Sequence, residues 1–154
     1  MRIIGVEELK HIQLEMLKSI DEFCQEKGLR YSLAFGSLLG AVRHKGYIPW
    51  DDDLDIMLLR HDYERLIAEY RHDNYKIIDV NNSDNYPLPF AKVYDDRTVM
   101  NENSTSKDTY GVYIDVFPID NVPNSERDLN SLLRRKRYLN YLHILKLVDI
   151  KKGR

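Results

Sequence analysis

The sequence predicts an α/β (α+β) fold in which helices flank a mixed sheet. Near both ends of the chain, apolar residues recur at the three- and four-residue spacing of amphipathic helices. Between these ends, short apolar and β-branched runs alternate with turn-forming residues, which is the pattern of strands. The 154 residues, 43% of them hydrophobic, are enough for one domain with its own core.

Three segments have helical periodicity. The first helix is predicted over residues 7 to 27, and Gly28 follows it at the position of a C-cap glycine. A second helix is predicted over residues 61 to 70, and a third begins at Ser125, which is suited to be its N-cap. The apolar face of the first helix is formed by Leu9, Ile12, Met16, Ile20 and Phe23.

The remaining apolar runs predict the strands of the sheet. The predicted strands cover residues 31–35, 51–56, 75–80, 90–94 and 110–120, and the apolar run of the second continues over 57–59. Two shorter segments complete the pattern: residues 38–42 form one or two helical turns, and residues 98–100 return as the hairpin partner of 90–94. The polar stretch at 101–109 is expected to form a flap.

The most informative stretch is the acidic segment 51–56, in which four carboxylates fall within five residues. Like charges at this density destabilise a fold unless a cation or a partner offsets them. In a strand, alternate side chains share a face, so Asp51, Asp53 and Asp55 would line one side of it. Such a row of carboxylate oxygens suits Mg²⁺ or Mn²⁺. The alternative is a solvated acidic loop, which explains neither the alternation nor the apolar run that follows.

A further carboxylate, Asp115, lies between apolar β-branched residues in the last predicted strand. Because a buried aspartate is costly without a partner, Asp115 is the candidate third metal ligand beside Asp53 and Asp55. The alternative is an aspartate that caps backbone groups at a strand end. Three aspartates on adjacent strands would suit a two-metal phosphoryl or nucleotidyl transfer, with Asp51 as a further ligand or as the base.

Five residues are candidates for contact with phosphate. Gly36 and Ser37 join a strand to a helix start, where a glycine, a hydroxyl and free N–H groups can hold an anion. Arg43 and His44 lie in a basic turn that either meets phosphate oxygens or is solvated. Lys92 lies in mid-strand, where it either contacts a substrate phosphate or is an exposed edge lysine.

The composition argues against several classes of function. A net charge of −2 gives no reason to expect a nucleic-acid partner or an anionic membrane. No apolar run approaches the ~20 residues of a membrane span, and the first residues lack the apolar core of a signal peptide. The single cysteine, Cys24, permits neither an intramolecular disulfide nor a cysteine-rich zinc site. We therefore expect a reducing, cytoplasmic setting.

Segments 36–44 and 48–56, together with Asp115, resemble the LicD family, which also includes fukutin and fukutin-related protein. The string Pro-Trp-Asp-x-Asp-x-Asp within the second segment is highly specific, and the resemblance extends to about Pro118. It implies a nucleotidyltransferase fold of the polymerase-β type. It also implies one domain over residues 1–154 that lacks the family's usual C-terminal part, with residues 125–154 helical.

The resemblance also implies an activity. Members of the family use magnesium or manganese to transfer a phospho-alcohol, of the phosphocholine or ribitol-phosphate type, from a CDP-linked donor. The acceptor is a cell-surface carbohydrate such as lipopolysaccharide or teichoic acid. The metal ligands so implied are Asp53, Asp55 and Asp115, with Asp51 beside them, and the residues implied to face the donor phosphates are Gly36, Ser37, Arg43 and Lys92.

Two other hypotheses remain open. The same fold can transfer a nucleotide from an NTP to a small molecule, which predicts release of pyrophosphate. Alternatively, the chain is an inactive fragment that binds a nucleotide or a partner protein. That hypothesis predicts binding without turnover and self-association through the leucine-rich C-terminal helix.

Overall fold

The computed structural model describes residues 3–83, 86–100 and 110–152, with side chains described as far as residue 142. The described residues fall into two compact units, of which the first ends at Ile119 and the second begins at Asp120. The expected flap at 101–109 lies outside the described residues. The prediction of one domain over the whole chain stays a prediction.

The described part of the first unit contains three helices and a five-stranded sheet, so the α/β prediction is confirmed. The helices and strands match the predicted order, with differences at their ends. In chain order they are α1 (Val6–Lys27), β1 (Tyr31–Leu33), α2 (Phe35–His44), β2 (Asp55–Leu59), α3 (Arg60–Glu69), β3 (Tyr75–Ile78), β4 (Ala91–Asp95) and β5 (Tyr113–Ile119).

The sheet is mixed, as predicted, and its strand order is β1-β2-β5-β4-β3. Strands β2 and β5 are parallel, whereas every other neighbouring pair is antiparallel. This order puts β2 and β5, which carry Asp55 and Asp115, side by side near the middle of the sheet. It also makes β4 an interior strand.

The hydrophobic core lies on one face of the sheet, beneath α1 and α3. It contains Met16 and Ile20 of the apolar face predicted for α1, together with Cys24 of the same helix and Leu66 of α3. The strands contribute alternate residues: Ile56, Leu58, Val93, Ile114 and Val116. Gly28 closes α1 as predicted, in the left-handed conformation with φ +66°, and its N–H bonds to the carbonyls of the last helical turn. Because alternate strand residues point to opposite faces, the polar residues between these positions lie on the other face.

Two of the predicted strands are shorter than expected, one at its start and the other at its end. The predicted strand at 51–56 is wrong in its first half, because β2 begins only at Asp55. The residues before it follow a turn in which the N–H of Asp51 donates to the carbonyl of Ile48 at 3.0 Å. The predicted strand at 31–35 stops at Leu33, and α2 begins at Phe35 rather than at residue 38.

The expected hairpin between residues 98–100 and 90–94 is also wrong. The neighbours of β4 in the sheet are β3 and β5. Instead, the N–H of Met100 donates to the carbonyl of Tyr110 at 2.9 Å, and the hydroxyl of Thr98 accepts from the N–H of Val112 at 2.8 Å. Residues 98–100 therefore pair locally with the chain that leads into β5.

The second unit is built on α4 (Glu126–Lys152), and Ser125 is its N-cap as predicted. The hydroxyl of Ser125 accepts from the N–H of Asp128 at 3.1 Å and donates to the carboxylate of the same residue at 2.7 Å. Several apolar side chains of α4 are exposed, namely Leu132, Leu133, Tyr138, Leu139, Tyr141 and Leu142. Self-association through this helix stays a prediction. No helix in the described part of the chain has both the length and the apolarity needed to cross a membrane.

Candidate functional site

Three ionisable residues form a row on the sheet face opposite the core. Asp55 of β2 lies in register with Asp115 of β5, and Asp115 lies in register with Lys92 of β4. Because neighbouring residues in register share a face, the three side chains stand next to one another across three strands. The row is anchored by the backbone, where the N–H of Asp115 donates to the carbonyl of Leu54 at 3.0 Å.

Lys92 is an internal counter-ion within this row. Its side chain is only 4% exposed, and its Nζ lies 2.6 Å from Oδ1 of Asp115. The ammonium also lies 3.2 Å from the ring centroid of Tyr113, with the rings of Tyr110 and Phe90 at 5.5 and 5.9 Å. The alternative of an exposed edge lysine is therefore wrong, whereas contact of Lys92 with a substrate phosphate stays a prediction.

The other two acidic candidates, Asp51 and Asp53, reach the site from the loop that precedes β2. The carboxylate of Asp51 lies against the first turn of α2, where a Cβ placed on Gly36 would stand 2.8 Å from its Oδ2. Gly36 therefore permits this close approach. The carboxyl group of Asp53 lies close enough to that of Asp51 for a hydrogen bond when one of the two is protonated. Their proximity comes from the loop and not from the strand alternation that the sequence predicts.

The carboxyl groups of this site repel one another, and this repulsion contributes to the raised pKa values of Asp53 and Asp55. Burial raises the pKa of Asp55 to about 6, and the negative charges of Asp53, Asp115 and Asp51 contribute to this rise. The pKa of Asp53 is raised by burial and by its hydrogen bond to, and the charge of, Asp51. The site therefore holds more negative charge than its own cation, Lys92, offsets.

The donor chemistry of these carboxyls fits a hard divalent cation, because all of the candidate ligand atoms are oxygens and their mutual repulsion is what a cation would relieve. In the structure, however, the carboxyl groups are spaced more widely than the ligands of a bound cation would be. Among the residues that the structure describes, no three His, Cys, Asp or Glu side chains form a ready ligand set. The arrangement is therefore one that a cation would draw together.

Ser37 connects α2 to the acidic row. Its Oγ accepts a hydrogen bond from the backbone N–H of Asp55 at 2.8 Å, and the carbonyl of Asp55 accepts one from the N–H of Ala34 at 2.9 Å. Both sides of the Asp55 backbone are thus tied to the start of α2. The hydroxyl of Ser37 accepts in this contact and keeps its own proton to donate.

The two basic candidates, Arg43 and His44, are exposed in the last turn of α2. They lie about 10 Å along the helix axis from Gly36 and Ser37, so the structure does not bring these two pairs together. The loop beyond them folds back onto α2 at Gly40, where a Cβ would stand 2.5 Å from the carbonyl oxygen of Gly46.

Gln13 is a site residue that the sequence analysis missed. It belongs to α1 and is 3% exposed, and its Nε2 donates to the carbonyls of Asp52 and Tyr113 at 3.1 and 3.0 Å. Its Oε1 accepts from the hydroxyl of Tyr47 at 2.9 Å. One buried amide therefore joins α1, the acidic loop and the start of β5. Apolar periodicity cannot reveal such a residue, because it ranks only the apolar positions of a helix.

Replacement of Gln13 by leucine is expected to lower the free energy of unfolding by about 2–3 kcal/mol, because two carbonyls and a buried hydroxyl lose their partner. Thermal unfolding measures this loss. The control is Gln25→Leu on the same helix, since Gln25 is exposed and its amide donates to the carboxylate of Asp21 one turn away. Equal losses in both variants would contradict the role assigned to Gln13.

Comparison with known proteins agrees with this geometry. Residues 28–150 match the family described as LicD/FKTN/FKRP, nucleotidyltransferase domain. The lipopolysaccharide cholinephosphotransferase LicD of Haemophilus influenzae is 32% identical over 136 residues, which are 84% of this chain and 51% of that protein. An uncharacterized protein of Rickettsia typhi is 34% identical over 76 residues, which are 47% of this chain and 25% of that protein.

A similar protein of Rickettsia prowazekii is 35% identical over 79 residues, which are 49% of this chain and 29% of that protein. This chain spans about half the length of the Haemophilus relative and less of the two rickettsial ones. The family match includes α2, the acidic loop, β2 and β5, which together hold all of the acidic candidates. The chain therefore belongs to the LicD/FKTN/FKRP family.

Proposed function

We propose that this chain is a metal-dependent phosphotransferase, which moves a phospho-alcohol from a CDP-linked donor to a cell-surface glycan. The observation that carries the proposal is the register of Asp55 with Asp115, beside the Asp51 and Asp53 loop. Membership of the family and the similarity to a lipopolysaccharide cholinephosphotransferase support the reaction class. The transferred group is of the phosphocholine or ribitol-phosphate type.

We further propose that the sheet and its helices are a nucleotidyltransferase fold of the polymerase-β type, as the family description suggests. The mixed sheet with its acidic residues on adjacent strands supports this assignment. A cytoplasmic setting is also part of the proposal. The buried Cys24, which is a free thiol with a pKa raised to about 11 by burial, is consistent with a reducing compartment.

In this proposal Asp53, Asp55 and Asp115 hold Mg²⁺ or Mn²⁺, which when bound supplies positive charge to the phosphates of the donor. Asp51 accepts the proton of the attacking acceptor hydroxyl, from its position against the first turn of α2. Lys92 keeps the carboxylate of Asp115 in place through their 2.6 Å ion pair. The protein's own contribution would therefore be to orient these carboxyls toward the cation and the donor phosphate.

Contacts with the donor phosphates are proposed for the two ends of α2. The first turn offers the Gly36 backbone and the hydroxyl of Ser37, at the positive end of the helix. The exposed side chains of Arg43 and His44 at the other end are placed to meet a more distant part of the donor. The exposed Trp50 has an edge-to-face contact with His44, with ring centroids 6.3 Å apart.

Calorimetric titration of CDP-choline and CDP-ribitol, with and without magnesium, tests the proposal. We expect magnesium-dependent binding of a donor by the wild type and at least a tenfold weaker binding by Asp53→Asn, because a proposed ligand is lost. Asp52→Asn is the matched control, since the exposed Asp52 contributes only its backbone carbonyl to the contacts with Gln13. Binding that ignores both magnesium and Asp53 would exclude the proposed metal site.

A second candidate function is transfer of a nucleotide from an NTP to a small molecule, which the term nucleotidyltransferase domain in the family description favours. The two reactions differ in their products. Nucleotidyl transfer from an NTP releases pyrophosphate, whereas a CDP-alcohol donor releases CMP. Incubation of the protein with each donor class and detection of the released product therefore separates them.

A further inference from the structure

Phe35 adopts a backbone conformation that is unfavourable for its side chain. Its φ is +42°, in the left-handed region that favours glycine, and the residue is 66% exposed. A non-glycine residue held in this sparsely populated region of backbone conformation is strained. An exposed aromatic ring gains little burial in return. A strained residue of this kind at the edge of a functional site is grounds for assigning it a function.

The ring of Phe35 is the outer member of a cluster of three phenylalanines. Its centroid lies 5.1 Å from that of Phe117, with the two ring planes at 89°. Phe117 in turn lies 4.3 Å from Phe90, with the planes at 37°. Phe90 and Phe117 are half-buried. We call these three residues the phenylalanine cluster, and it offers aromatic ring surface to solvent.

The phenylalanine cluster borders the acidic row. Phe117 follows Asp115 by two residues on β5, so it lies on the same face about 7 Å further along the strand. Phe90 precedes Lys92 by two residues, in line with Phe117 across the β4–β5 register. Phe35 directly precedes Gly36, which touches the carboxylate of Asp51. A small substrate can therefore reach the carboxyls and the rings together.

We propose that the phenylalanine cluster binds the quaternary ammonium group of the transferred alcohol, so that this chain selects choline over ribitol. The inference rests on the proposed function and names its substrate. A trimethylammonium group has no hydrogen-bond donor, and the negative face of an aromatic ring attracts it electrostatically. The hydroxyls of ribitol would lose water against the rings and gain no partner there.

The spacing and the charge of the site agree with this choice. Choline phosphate is short, so its phosphate and its nitrogen can lie together over the stretch of sheet that carries Asp115 and, about 7 Å further along β5, Phe117. The nearest cation, Lys92, is already paired with Asp115 at 2.6 Å, and so its repulsion of a second cation is offset. The surplus negative charge of the carboxyl groups adds attraction for a cationic headgroup.

Fluorination of Phe35 tests the proposal, because each added fluorine weakens the negative face of the ring and changes its shape little. We expect the Kd of CDP-choline to rise stepwise from mono- to trifluorophenylalanine at position 35, to about three- to tenfold. The Kd of the uncharged 3,3-dimethylbutyl analogue of CDP-choline should stay constant. A CDP-choline affinity that fluorination leaves unchanged would overturn the proposal.

Phe35→Gly separates binding from stability. Because glycine adopts φ +42° without strain, this variant should unfold at the same or a higher temperature than the wild type, yet bind CDP-choline more weakly. A wild type that binds CDP-ribitol in preference to CDP-choline would overturn the choline assignment and leave the proposed transferase function intact. A wild type that binds neither donor would overturn both. Dimers that depend on Phe35, with unchanged donor affinity, would assign the cluster to a protein contact instead.

Discussion

Asp55→Asn is expected to abolish phospho-alcohol transfer and, at the same time, to stabilise the protein at neutral pH in the absence of divalent cations. Asp55 is 7% exposed and its carboxyl faces three other carboxyls, and these surroundings raise its pKa to about 6. Asparagine keeps the shape of the side chain and removes the charge. The backbone contacts of residue 55 with Ser37 and Ala34 do not involve the side chain and are retained.

The sign of the pH dependence follows from the raised pKa. Between the ordinary value of 3.8 and about 6, the folded protein binds more protons at Asp55 than the unfolded chain does. The free energy of unfolding therefore falls as pH rises through this window, by about 2–3 kcal/mol in total. Asp55→Asn does not have this loss, so it should match the wild type near pH 4 and exceed it above pH 6.5.

Thermal unfolding in EDTA from pH 4 to pH 8 measures the stability effect, and transfer of the phospho-alcohol measures the activity. Activity should fall by at least about a hundredfold, because a proposed ligand of the catalytic cation is lost. Asp52→Asn is the control for both measurements. Magnesium should stabilise the wild type and leave Asp55→Asn unchanged. A variant that is less stable than the wild type at pH 8 would contradict the repulsion inferred for this site.

The sequence was sufficient to predict the class of the fold and to name the acidic residues that the structure brings together. Helix α1 could be placed from its apolar spacing and from Gly28, since both signals are local. The acidic candidates could be named because a carboxylate between apolar strand residues is unusual in itself. Asp55 and Asp115 are indeed neighbours in the sheet. Their roles as metal ligands remain predictions.

What could not be predicted depends on contacts between distant parts of the chain. The alternation at 51–56 resembles a strand, but pairing with β5 begins only at Leu54 and Asp55, and the turn at Ile48 sets the path before it. Lys92 lies on an interior strand because of the strand order, which no local pattern encodes. The positive φ of Phe35 likewise results from a sharp turn between β1 and α2 that favours glycine.

Lys92→Met is expected to be the most destabilising single substitution at the site, with a loss of about 3–5 kcal/mol. The reason is that a partly buried carboxylate, Asp115, loses the ammonium that lies 2.6 Å away. Methionine fills the space between the three aromatic rings, so the loss reports mainly on charge. Urea unfolding at pH 7.5 in EDTA measures it.

The double variant Lys92→Met with Asp115→Asn decides what Lys92 does. If the lysine is chiefly the counter-ion of Asp115, removal of both charges should restore most of the lost stability, since no buried charge is then unpaired. The coupling energy of the double-mutant cycle should then exceed about 2 kcal/mol. If Lys92 instead binds the donor phosphate, Lys92→Met should raise the Kd for CDP-linked donors while the stabilities add independently. The buried ion pair and the three surrounding rings favour the first outcome, in which Lys92 holds Asp115 in position for the cation that the site would bind.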